Sequence, residues 1–346
     1  MKQWNIVITG FGRVGWHVAE LIGKRRERYL QRYQADVRIV GVCGSKKGLY
    51  HQAGLPGEQL AALTAASGGL EASPEASEAH TGTAFLQGSG ADVVIEAGPT
   101  DFVTGGPAYA YITTALRCSM HAISISKGAL VFDYPGLKRL AEEHQVMLKI
   151  SGATAAALPT IDLAEYNLAG CEVSRFVGIF TGTTNFILSK MYQDNVPFEE
   201  AVAEAKRRGI AEPDPRFDLE GWDTACKLVI LANALFDAGL RLEQIEREGI
   251  TGITVEQMLQ WREQNLVPKL TGEICRTAHG ISASVKPRLY PAEHSFAQVN
   301  GATKAVMVET DVMGELLVIG GKSDPRAAAA AACKDLEHIL MMHKTP

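Results

Sequence analysis

The sequence predicts an α/β protein made of a parallel-sheet domain and a second, α+β domain with a mixed or antiparallel sheet. In the first 150 residues, short β-branched runs alternate with helical stretches, which is typical of a parallel sheet covered by helices. Further strand-like runs at residues 173–180, 285–289, 305–310 and 316–320 predict the second sheet. A chain of 346 residues is long enough for two such domains.

The N-terminal strand runs directly into a glycine-rich turn. Residues 5–9 (NIVIT) are a short β-branched run, and residues 16–23 predict a helix. Between them lies a G-x-G-x-x-G turn made of Gly10, Phe11, Gly12, Arg13, Val14 and Gly15. Gly10 permits the tight turn, Gly12 lets the backbone approach a pyrophosphate, and Gly15 lets the helix pack on the strand. The order strand, turn, helix predicts a Rossmann-type dinucleotide site with the phosphates at the helix N-terminus.

The end of the second predicted strand selects between dinucleotides. An acidic residue there binds the adenine ribose hydroxyls of NAD. Residues 37–43 are followed instead by a glycine and then by Ser45, Lys46 and Lys47, whose hydroxyl and ammonium groups suit a 2′-phosphate. The pattern favours NADP, with NAD as the second choice; the alternative is that the lysines form a solvated loop. Residues 54–90 predict a helix or two with loose connections, to which we attach no chemistry.

Two further loops follow predicted strands of the same sheet. Residues 92–96 (DVVIE) predict a buried strand, and the loop after it holds Thr100. Residues 122–126 (AISIS) predict the next strand, with Lys127 at its end. Because the carboxyl ends of parallel strands face the ligand crevice, Lys127 is a candidate neighbour of the nicotinamide. The alternative is an ordinary surface lysine.

The most informative polar segment is residues 209–228, GIAEPDPRFDLEGWDTACKL. The pattern of residues 219–234 is apolar and helical, so Asp223 and Lys227 lie on one helical face. Glu212 lies on the proline-containing segment before that helix. A loop carboxylate facing an Asp/Lys pair suits a small zwitterion and the transfer of a proton. The alternative is an exposed salt bridge on an amphipathic helix.

Taken together, these motifs resemble those of the homoserine dehydrogenase family. The resemblance covers nearly the whole chain and includes GFGRVG, DVVIEAGPT, SISKGAL, TGTTNFIL, AEPDPRFDLEGWDTACKL and KPRLYPAEHSFAQVNGATKAV. The chain looks like the short monofunctional form of the family, without an aspartokinase half and without an evident regulatory domain.

The resemblance implies an NAD(P)-dependent oxidoreductase acting on a CH–OH group. It would interconvert L-homoserine and L-aspartate 4-semialdehyde, in threonine, methionine and isoleucine biosynthesis. The implied substrate is a small amino acid, and the implied assembly is a homodimer. We expect an NAD(P)-binding domain at residues 1–150 and a catalytic and dimerisation domain at residues 151–323. We expect the C-terminal helix, residues 324–346, to pack back on the first domain.

The resemblance also implies roles for individual residues. Lys227 matches the proton donor and acceptor of the family, and Asp223 a substrate-binding carboxylate one helical turn earlier. Lys127 matches a lysine near nicotinamide and substrate, and Thr100 a cofactor contact from its loop. The implied substrate-binding residues are Glu212, Gly209, Asp218 and Thr183. Among them, Glu212 would hold the amino group of the substrate.

The chain departs from the family pattern at a monovalent metal site. Where the family commonly has a Glu before a glycine-rich turn, this chain has Ser151, and its turn is rich in alanine. The backbone carbonyls of Thr154, Ala156 and Leu158 remain as implied ligands. Without the carboxylate charge we expect an ion to bind more weakly.

Three other departures lie near the implied site. Ser126 stands where an Asn usually precedes the lysine, and Thr181 replaces the first Asn of an NGTTN turn. Residues 320–325 replace a glycine-rich loop over the cofactor. Within that loop we expect Gly321 to contact the cofactor, and Lys322 either reaches a phosphate or is solvated.

Composition argues against other classes of partner. With 34 Lys and Arg against 39 Asp and Glu, the net charge of −5 gives no general attraction to nucleic acid or to an anionic membrane. No apolar run approaches the roughly 18 residues of a spanning helix, and the N-terminus reads as a strand rather than a secretory signal. The six cysteines lack CxxC spacing, which indicates free thiols in a reducing cytoplasm.

Two other functions remain open at the level of sequence. One is a sister oxidoreductase that acts on a related amino-acid aldehyde or hydroxy amino acid, and Glu212 argues for an amino group on its substrate too. The other is a catalytically silent NADP-binding protein. The presence of Lys127, Asp223 and Lys227 together argues against a silent protein.

Overall fold

The computed structural model describes residues 1–322 and 324–343. It contains two compact units, the first of which comprises Met1–Ala157 and the chain from Asp324 onward, and the second Leu158–Ser323. Ser323, the predicted end of the second domain, and residues 344–346, the predicted end of the last helix, lie outside the described residues. Over the described ranges, no helix is long and apolar enough to cross a membrane.

The first unit contains a six-stranded sheet. Its strands are β1 (Lys2–Thr9), β2 (Ala35–Cys43), β3 (Gly48–Tyr50), β4 (Val93–Glu96), β5 (His121–Ser124) and β6 (Leu148–Lys149). The strand order is β3-β2-β1-β4-β5-β6, and only the β2–β3 pair is antiparallel. The predicted parallel-sheet Rossmann-type domain is confirmed. Its strand order reverses between β1 and β4, which is where such sheets bind ligands.

In the described part of the first unit, six α-helices precede the second unit in sequence. They are α1 (Arg13–Tyr33), α2 (Gly57–Ala62), α3 (Gly82–Gly88), α4 (Gly106–Arg117), α5 (Gly128–Glu143) and α6 (Ser151–Thr154). Buried apolar side chains from β1 and α1, such as Ile6, Ile8, Val18 and Ile22, form the centre of the core. Burying this face, rather than helix propensity alone, holds α1 on the sheet.

The second unit contains the other six-stranded sheet. Its strands are β7 (Val173–Ile179), β8 (Glu246–Arg247), β9 (Leu266–Thr277), β10 (Gly280–Pro291), β11 (Lys304–Thr310) and β12 (Gly314–Gly320). The order is β12-β11-β7-β9-β10-β8, with antiparallel pairs except for β10–β8. The predicted mixed or antiparallel sheet is confirmed. Strand β9 is absent from the sequence prediction because Pro268 and Gly272 are poor strand residues.

The described part of the second unit also contains five α-helices and a π-helical turn, Leu163–Asn167. The helices are α7 (Gly182–Asp194), α8 (Phe198–Arg207), α9 (Arg216–Leu219), α10 (Trp222–Phe236) and α11 (Val255–Glu263). The continuous helix predicted from residue 219 is wrong at its start. Gly221 has a φ of +82°, so it separates the short helix α9 from α10.

The last helix, α12 (Pro325–Met342), belongs to the first unit. Its N-terminus is capped by Asp324, whose side chain accepts the N–H of Ala327 at 2.8 Å. The small residues Ala329 and Ala332 are fully buried, together with Leu336. The alanine run therefore lets α12 lie close to α1 in a shared core.

Candidate active site

The glycine turn after β1 has the space that a dinucleotide phosphate requires. Gly10 has a φ of +77°, and a Cβ there would lie 2.3 Å from the nitrogen of Gly98. A Cβ at Gly15 would lie 2.6 Å from the Gly10 oxygen, so close helix–strand packing excludes any side chain. At Gly12 an added Cβ would meet no described atom within 4 Å. The backbone around Gly12 is therefore open to a ligand.

The N-terminus of α1 is suited to an anion. Its N-cap, Gly12, gives no side-chain cap, and its first turn contains no acidic residue. The N–H groups and the positive end of the helix dipole point toward the open side of the turn. Of the other turn residues, Phe11 is buried, Arg13 is exposed and Val14 is half-buried. These features fit the pyrophosphate of a dinucleotide.

Close backbone packing also joins the loops after β4 and β5. A Cβ at Gly128, the first residue of α5, would lie 2.4 Å from the backbone oxygen of Asp101. This contact brings the exposed Thr100 and the half-buried Lys127 to the same edge of the sheet. Gly98, beside Gly10, belongs to the same loop as Thr100. The structure thus brings the sequence-predicted cofactor residues of these loops and the glycine turn together.

Glu96 is a buried carboxyl group at this edge that the sequence analysis did not select. Its carboxylate accepts the Ser126 Oγ–H at 2.6 Å, the Gly98 N–H at 2.6 Å and the Ser124 Oγ–H at 3.3 Å. Burial raises its pKa, against the effect of these donors. Glu96 therefore ties the loop after β4 to the end of β5. The only signal in the sequence was a carboxylate at the end of an apolar strand.

The loop after β2 is in contact with a carboxylate from a distant segment. Ser45 and Lys46 are exposed, and Lys47 is half-buried. The Glu71 carboxylate accepts the Lys46 N–H at 3.1 Å and the Ser45 Oγ–H at 3.3 Å. Our expectation that residues 54–90 carry no chemistry did not anticipate this contact. A local motif cannot reveal it, because tertiary folding brings Glu71 to the loop.

In the second unit, Asp223 and Lys227 form a largely buried ion pair on α10. The Lys227 Nζ lies 2.5 Å from the Asp223 Oδ2, and each side chain is 12% exposed. The Lys227 ammonium also donates to the Phe180 carbonyl oxygen at 2.8 Å. In place of the exposed salt bridge that was the alternative, the structure has a pair held against the backbone at the end of β7. Gly272 in β9 lets α10 pack closely on the sheet, since a Cβ there would lie 2.8 Å from Thr224 on α10.

Asp218 and the turn before α7 lie beside this pair. Thr181 Oγ1 donates to Asp218 Oδ1 at 3.2 Å, and Thr183 Oγ1 donates to the Ile210 oxygen at 3.2 Å. Burial and the Asp223 charge raise the pKa of Asp218, whereas Lys227 lowers it. Thr183, Asp218, Asp223 and Lys227 therefore share one electrostatic environment. Two carboxyl groups and one ammonium make that environment receptive to a further cation.

The other two predicted substrate-binding residues lie on the chain that precedes α9. Gly209 lies two residues after the end of α8, and its N–H donates to the Lys206 oxygen at 3.0 Å. Glu212 is exposed, three residues further along. Its segment is joined to the turn before α7 through the Thr183–Ile210 hydrogen bond. The exposed Glu212 carboxylate lies outside the bonded cluster of Asp218, Asp223 and Lys227.

Ser151 has its own carboxylate partner from α12. Its N–H and Oγ–H donate to Asp335 at 3.0 and 2.7 Å, and the Lys334 Nζ donates to the Ser151 Oγ at 2.7 Å. Lys334 also lies 3.4 Å from Asp335. The carboxylate beside Ser151 therefore comes from α12, where it is also paired with the Lys334 ammonium. Thr154 donates its hydroxyl to the Ser151 oxygen at 3.2 Å.

The remaining predicted residues have defined places. Ala156 has a left-handed backbone with a φ of +53°. Leu158, the first residue of the second unit, is buried. Gly321 packs on it, since a Cβ at Gly321 would lie 2.8 Å from the Leu158 nitrogen. Lys322 is exposed. No role follows for these residues from their contacts alone.

A buried lysine in the second unit was also missed by sequence reasoning. Lys269 on β9 is fully buried, and its Nζ donates to the Val299 oxygen at 2.5 Å and to the Asn185 Oδ1 at 3.1 Å. Asn185 in turn donates to the oxygens of Val299 and Thr303, each at 2.9 Å. Desolvation lowers the pKa of Lys269 to about 8. Through its hydrogen bond to Asn185, Lys269 thus holds the last residue of the TGTTN segment in place.

Comparisons with known proteins agree with these features. A profile of the homoserine dehydrogenase family matches residues 159–336. The chain is 34% identical over 341 residues to the NAD(+)-dependent homoserine dehydrogenase of Pseudomonas canavaninivorans, covering 98% of this chain and 97% of that protein. It is 33% identical over 335 residues to the homoserine dehydrogenase of Methanocaldococcus jannaschii, covering 97% and 98%. The crystal structure of a homoserine dehydrogenase from Thiobacillus denitrificans matches with a TM-score of 0.82 at 28% identity, covering 99% of this chain and 74% of that one.

The parallel sheet with its open glycine turn is typical of a dinucleotide-binding domain. Together with the family match, it places the chain among the oxidoreductases that use a nicotinamide cofactor. Within that class, the chain belongs to the homoserine dehydrogenase family. The family recognised from the motifs is therefore confirmed.

Proposed function

We propose that this oxidoreductase interconverts L-homoserine and L-aspartate 4-semialdehyde. The observation that carries the proposal is the largely buried Asp223–Lys227 pair, with its ammonium also held by the Phe180 oxygen. A proton donor fixed in this way suits the reduction of an aldehyde to an alcohol. Family membership supports the same reaction. The pathway that we propose for it is the biosynthesis of threonine, methionine and isoleucine.

Lys227 is the proposed proton donor and acceptor. When bound, the nicotinamide cofactor supplies or accepts the hydride. During aldehyde reduction, the Lys227 ammonium stabilises the negative charge that develops on the aldehyde oxygen and then gives that oxygen a proton. In the reverse direction, the Lys227 Nζ takes the proton from the hydroxyl group. Asp223, 2.5 Å away, keeps the ammonium oriented.

The substrate amino group would bind to the carboxylates near this pair. Glu212 is the proposed principal partner, with Asp218, Thr183 and the Gly209 segment around it. The raised pKa of Asp218 supports this arrangement, because a substrate ammonium would relieve the repulsion from Asp223. Lys127 is proposed to lie near nicotinamide and substrate, and Thr100 and Gly321 to contact the cofactor.

The choice between NADP and NAD is the finer part of the proposal. Lys46 and Lys47 support NADP, because ammonium groups attract a 2′-phosphate. The Glu71 carboxylate supports NAD, and so does the NAD(+) dependence of the relative from Pseudomonas canavaninivorans. We propose that both cofactors are accepted, NADP through the two ammonium groups and NAD through the ribose hydroxyls.

We further propose that the protein acts as a homodimer in the cytoplasm. The exposed apolar side chains of Val312, Met313 and Ile319, at and beside the edge strand β12, support a second chain on this sheet. The free cysteines support a reducing compartment. The monovalent ion that the resemblance implies stays a prediction, and no step above requires it.

The experiment that tests this function is steady-state oxidation of L-homoserine with NADP and with NAD. Each reaction is run with and without added potassium or sodium. Turnover with L-homoserine supports the proposal, and the salt comparison tests the ion. Tight binding of reduced cofactor without turnover would contradict the substrate assignment. A panel of amino-acid aldehydes would then identify the substrate of a sister oxidoreductase.

A further inference from the structure

The loop after β2 lies directly beside the glycine turn. The Cys43 oxygen, at the end of β2, accepts the N–H groups of Gly10 and Phe11, each at 2.9 Å. The chain then forms a tight turn in which the Gly44 N–H donates to the Lys47 oxygen at 2.8 Å. In a Rossmann-type domain this is where the adenine ribose is recognised. A group fixed on this turn therefore faces the 2′ position of the cofactor.

Glu71 is fixed on this turn from a separate segment. It lies in a single 3₁₀ turn, Leu70–Ala72, whose Leu70 is 3% exposed and packs in the core of the first unit. Its Oε1 accepts from the Lys46 N–H and the Ser45 hydroxyl, and it would be 2.7 Å from a Cβ at Gly44. The anchored leucine thus places a carboxylate on the donors that an anion would use. The pKa of Glu71 is lowered, mainly by the hydrogen bond from the backbone N–H of Lys46.

We infer that Glu71 is a specificity-determining residue that favours NAD over NADP. The inference rests on the proposed function, in that it takes a nicotinamide dinucleotide to be the ligand of this turn. Its carboxylate can accept the ribose 2′-hydroxyl, as the acidic residue of an NAD site does. A 2′-phosphate brings further negative charge to the same two donors. It must therefore displace Glu71 before Lys46 and Lys47 can bind it.

The charges on the turn also account for the proposed use of both cofactors. The side chain of Glu71 is exposed, so it can leave the turn without exposing its buried neighbour Leu70. Once it leaves, the turn offers the Ser45 hydroxyl, the Lys46 N–H and two ammonium groups. Glu71 thus weakens the binding of NADP without preventing it.

Calorimetric binding of two cofactor fragments tests the inference without requiring catalysis. Adenosine 2′,5′-bisphosphate and AMP differ only in the 2′-phosphate. For Glu71→Gln in the full-length protein, we expect the bisphosphate to bind about fivefold more tightly and AMP about twofold more weakly. The ratio of the two dissociation constants then changes about tenfold, which corresponds to about 1.4 kcal/mol. Glu71→Ala should change the ratio in the same direction.

Glu75→Gln is the matched control. Glu75 is also exposed and lies in the same segment, but its carboxylate accepts from Gln59 rather than from the turn after β2. It removes the same charge, and we expect the ratio to change less than twofold. An equal change in both variants would reduce the effect to general charge and overturn the inference. An unchanged ratio in Glu71→Gln, or a wild type that binds neither fragment, would also overturn it.

The result is independent of the substrate assignment. If L-homoserine is not oxidised but the fragment ratio changes as expected, the proposed substrate is wrong and the role of Glu71 stands. If L-homoserine is oxidised and the ratio does not change, the reaction stands and the role of Glu71 is wrong. Titrations with NADPH and NADH should follow the same order as the two fragments.

Discussion

Lys227 combines three properties at the scale of a single residue. It carries a positive charge on a largely buried side chain, it has a carboxylate partner in Asp223, and it is held by the Phe180 oxygen. A group held this way can act on a developing negative charge without first reorganising its surroundings.

Lys227→Ala should therefore reduce kcat for L-homoserine oxidation by about 10²–10⁴-fold, which is the usual contribution of a general acid–base group. Lys227→Arg keeps the charge but cannot release a proton near neutral pH, so we expect it to stay impaired. Steady-state kinetics at saturating substrate measures both effects.

Lys190→Ala is the control for this substitution. Lys190 forms an i,i+4 pair with Asp194 on α7, at 2.6 Å, so the same kind of pair is broken elsewhere in the second unit. We expect kcat to change less than about twofold. Near-normal kcat in Lys227→Ala would remove the proposed role of Lys227.

The basic side chains of the turn after β2 give a second prediction for residues. Lys46→Glu combined with Lys47→Glu should raise the KM for NADP far more than the KM for NAD. We expect the ratio of the two KM values, NADP to NAD, to rise about tenfold or more. The reason is that two attractive charges become repulsive toward the 2′-phosphate. Equal effects on the two cofactors would mean that the 2′-phosphate is recognised elsewhere.

At the scale of elements, the break between α9 and α10 determines where the polar side chains lie. In a single unbroken helix, Asp218 and Asp223 would lie five residues apart, about 140° around the helix axis. The left-handed Gly221 lets α9 turn back, so that Asp218 meets Thr181 while Asp223 and Lys227 stay on α10. Apolar periodicity cannot reveal this break, because the pattern continues across the glycine.

Strand β9 carries the buried side chain of Lys269, and its burial in the sheet shifts its pKa. Lys269 is fully buried, and its pKa falls from 10.5 in the unfolded chain to about 8. The unfolded state therefore binds more protons between these two values, and stability must rise with pH through that window. The full effect is up to about 3 kcal/mol, of which about 1 kcal/mol falls between pH 8 and 9.

The difference in free energy of unfolding between wild type and Lys269→Met measures this effect. Measured by urea unfolding, the free energy of unfolding of the wild type minus that of the variant should rise by about 1 kcal/mol between pH 8 and 9. Taking the difference cancels Cys43 and Cys333, whose raised pKa values lower stability above pH 9 in both proteins. A difference that does not vary with pH would mean that Lys269 keeps an ordinary pKa.

At the scale of the whole molecule, the first unit contains a helix that follows the second unit in sequence. Helix α12 packs on α1 within one core, although the whole second unit lies between them in sequence. The first unit is thus built from two segments, one on each side of the second unit in sequence.

Leu336→Ala should consequently destabilise the first unit by about 2–5 kcal/mol, since Leu336 is 0% exposed in that core. Met341→Ala, at a position that is 50% exposed on the same helix, is the control and should cost little. Urea unfolding monitored by near-UV circular dichroism measures both. An equally small loss in both variants would show that α12 adds little to the core.

The sequence by itself determined the fold class, the glycine turn, the family and the Asp223–Lys227 spacing. Each of these features depends on residues that are close together in sequence. They follow from local periodicity and from local steric requirements, such as those met by Gly10 and Gly12. Tertiary structure alone decided which distant groups meet: Glu71 on the turn after β2, Asp335 on Ser151, and Lys269 beneath Asn185. Such contacts follow from packing over long sequence separations, and a carboxylate or an ammonium shows no local pattern that reveals its partner.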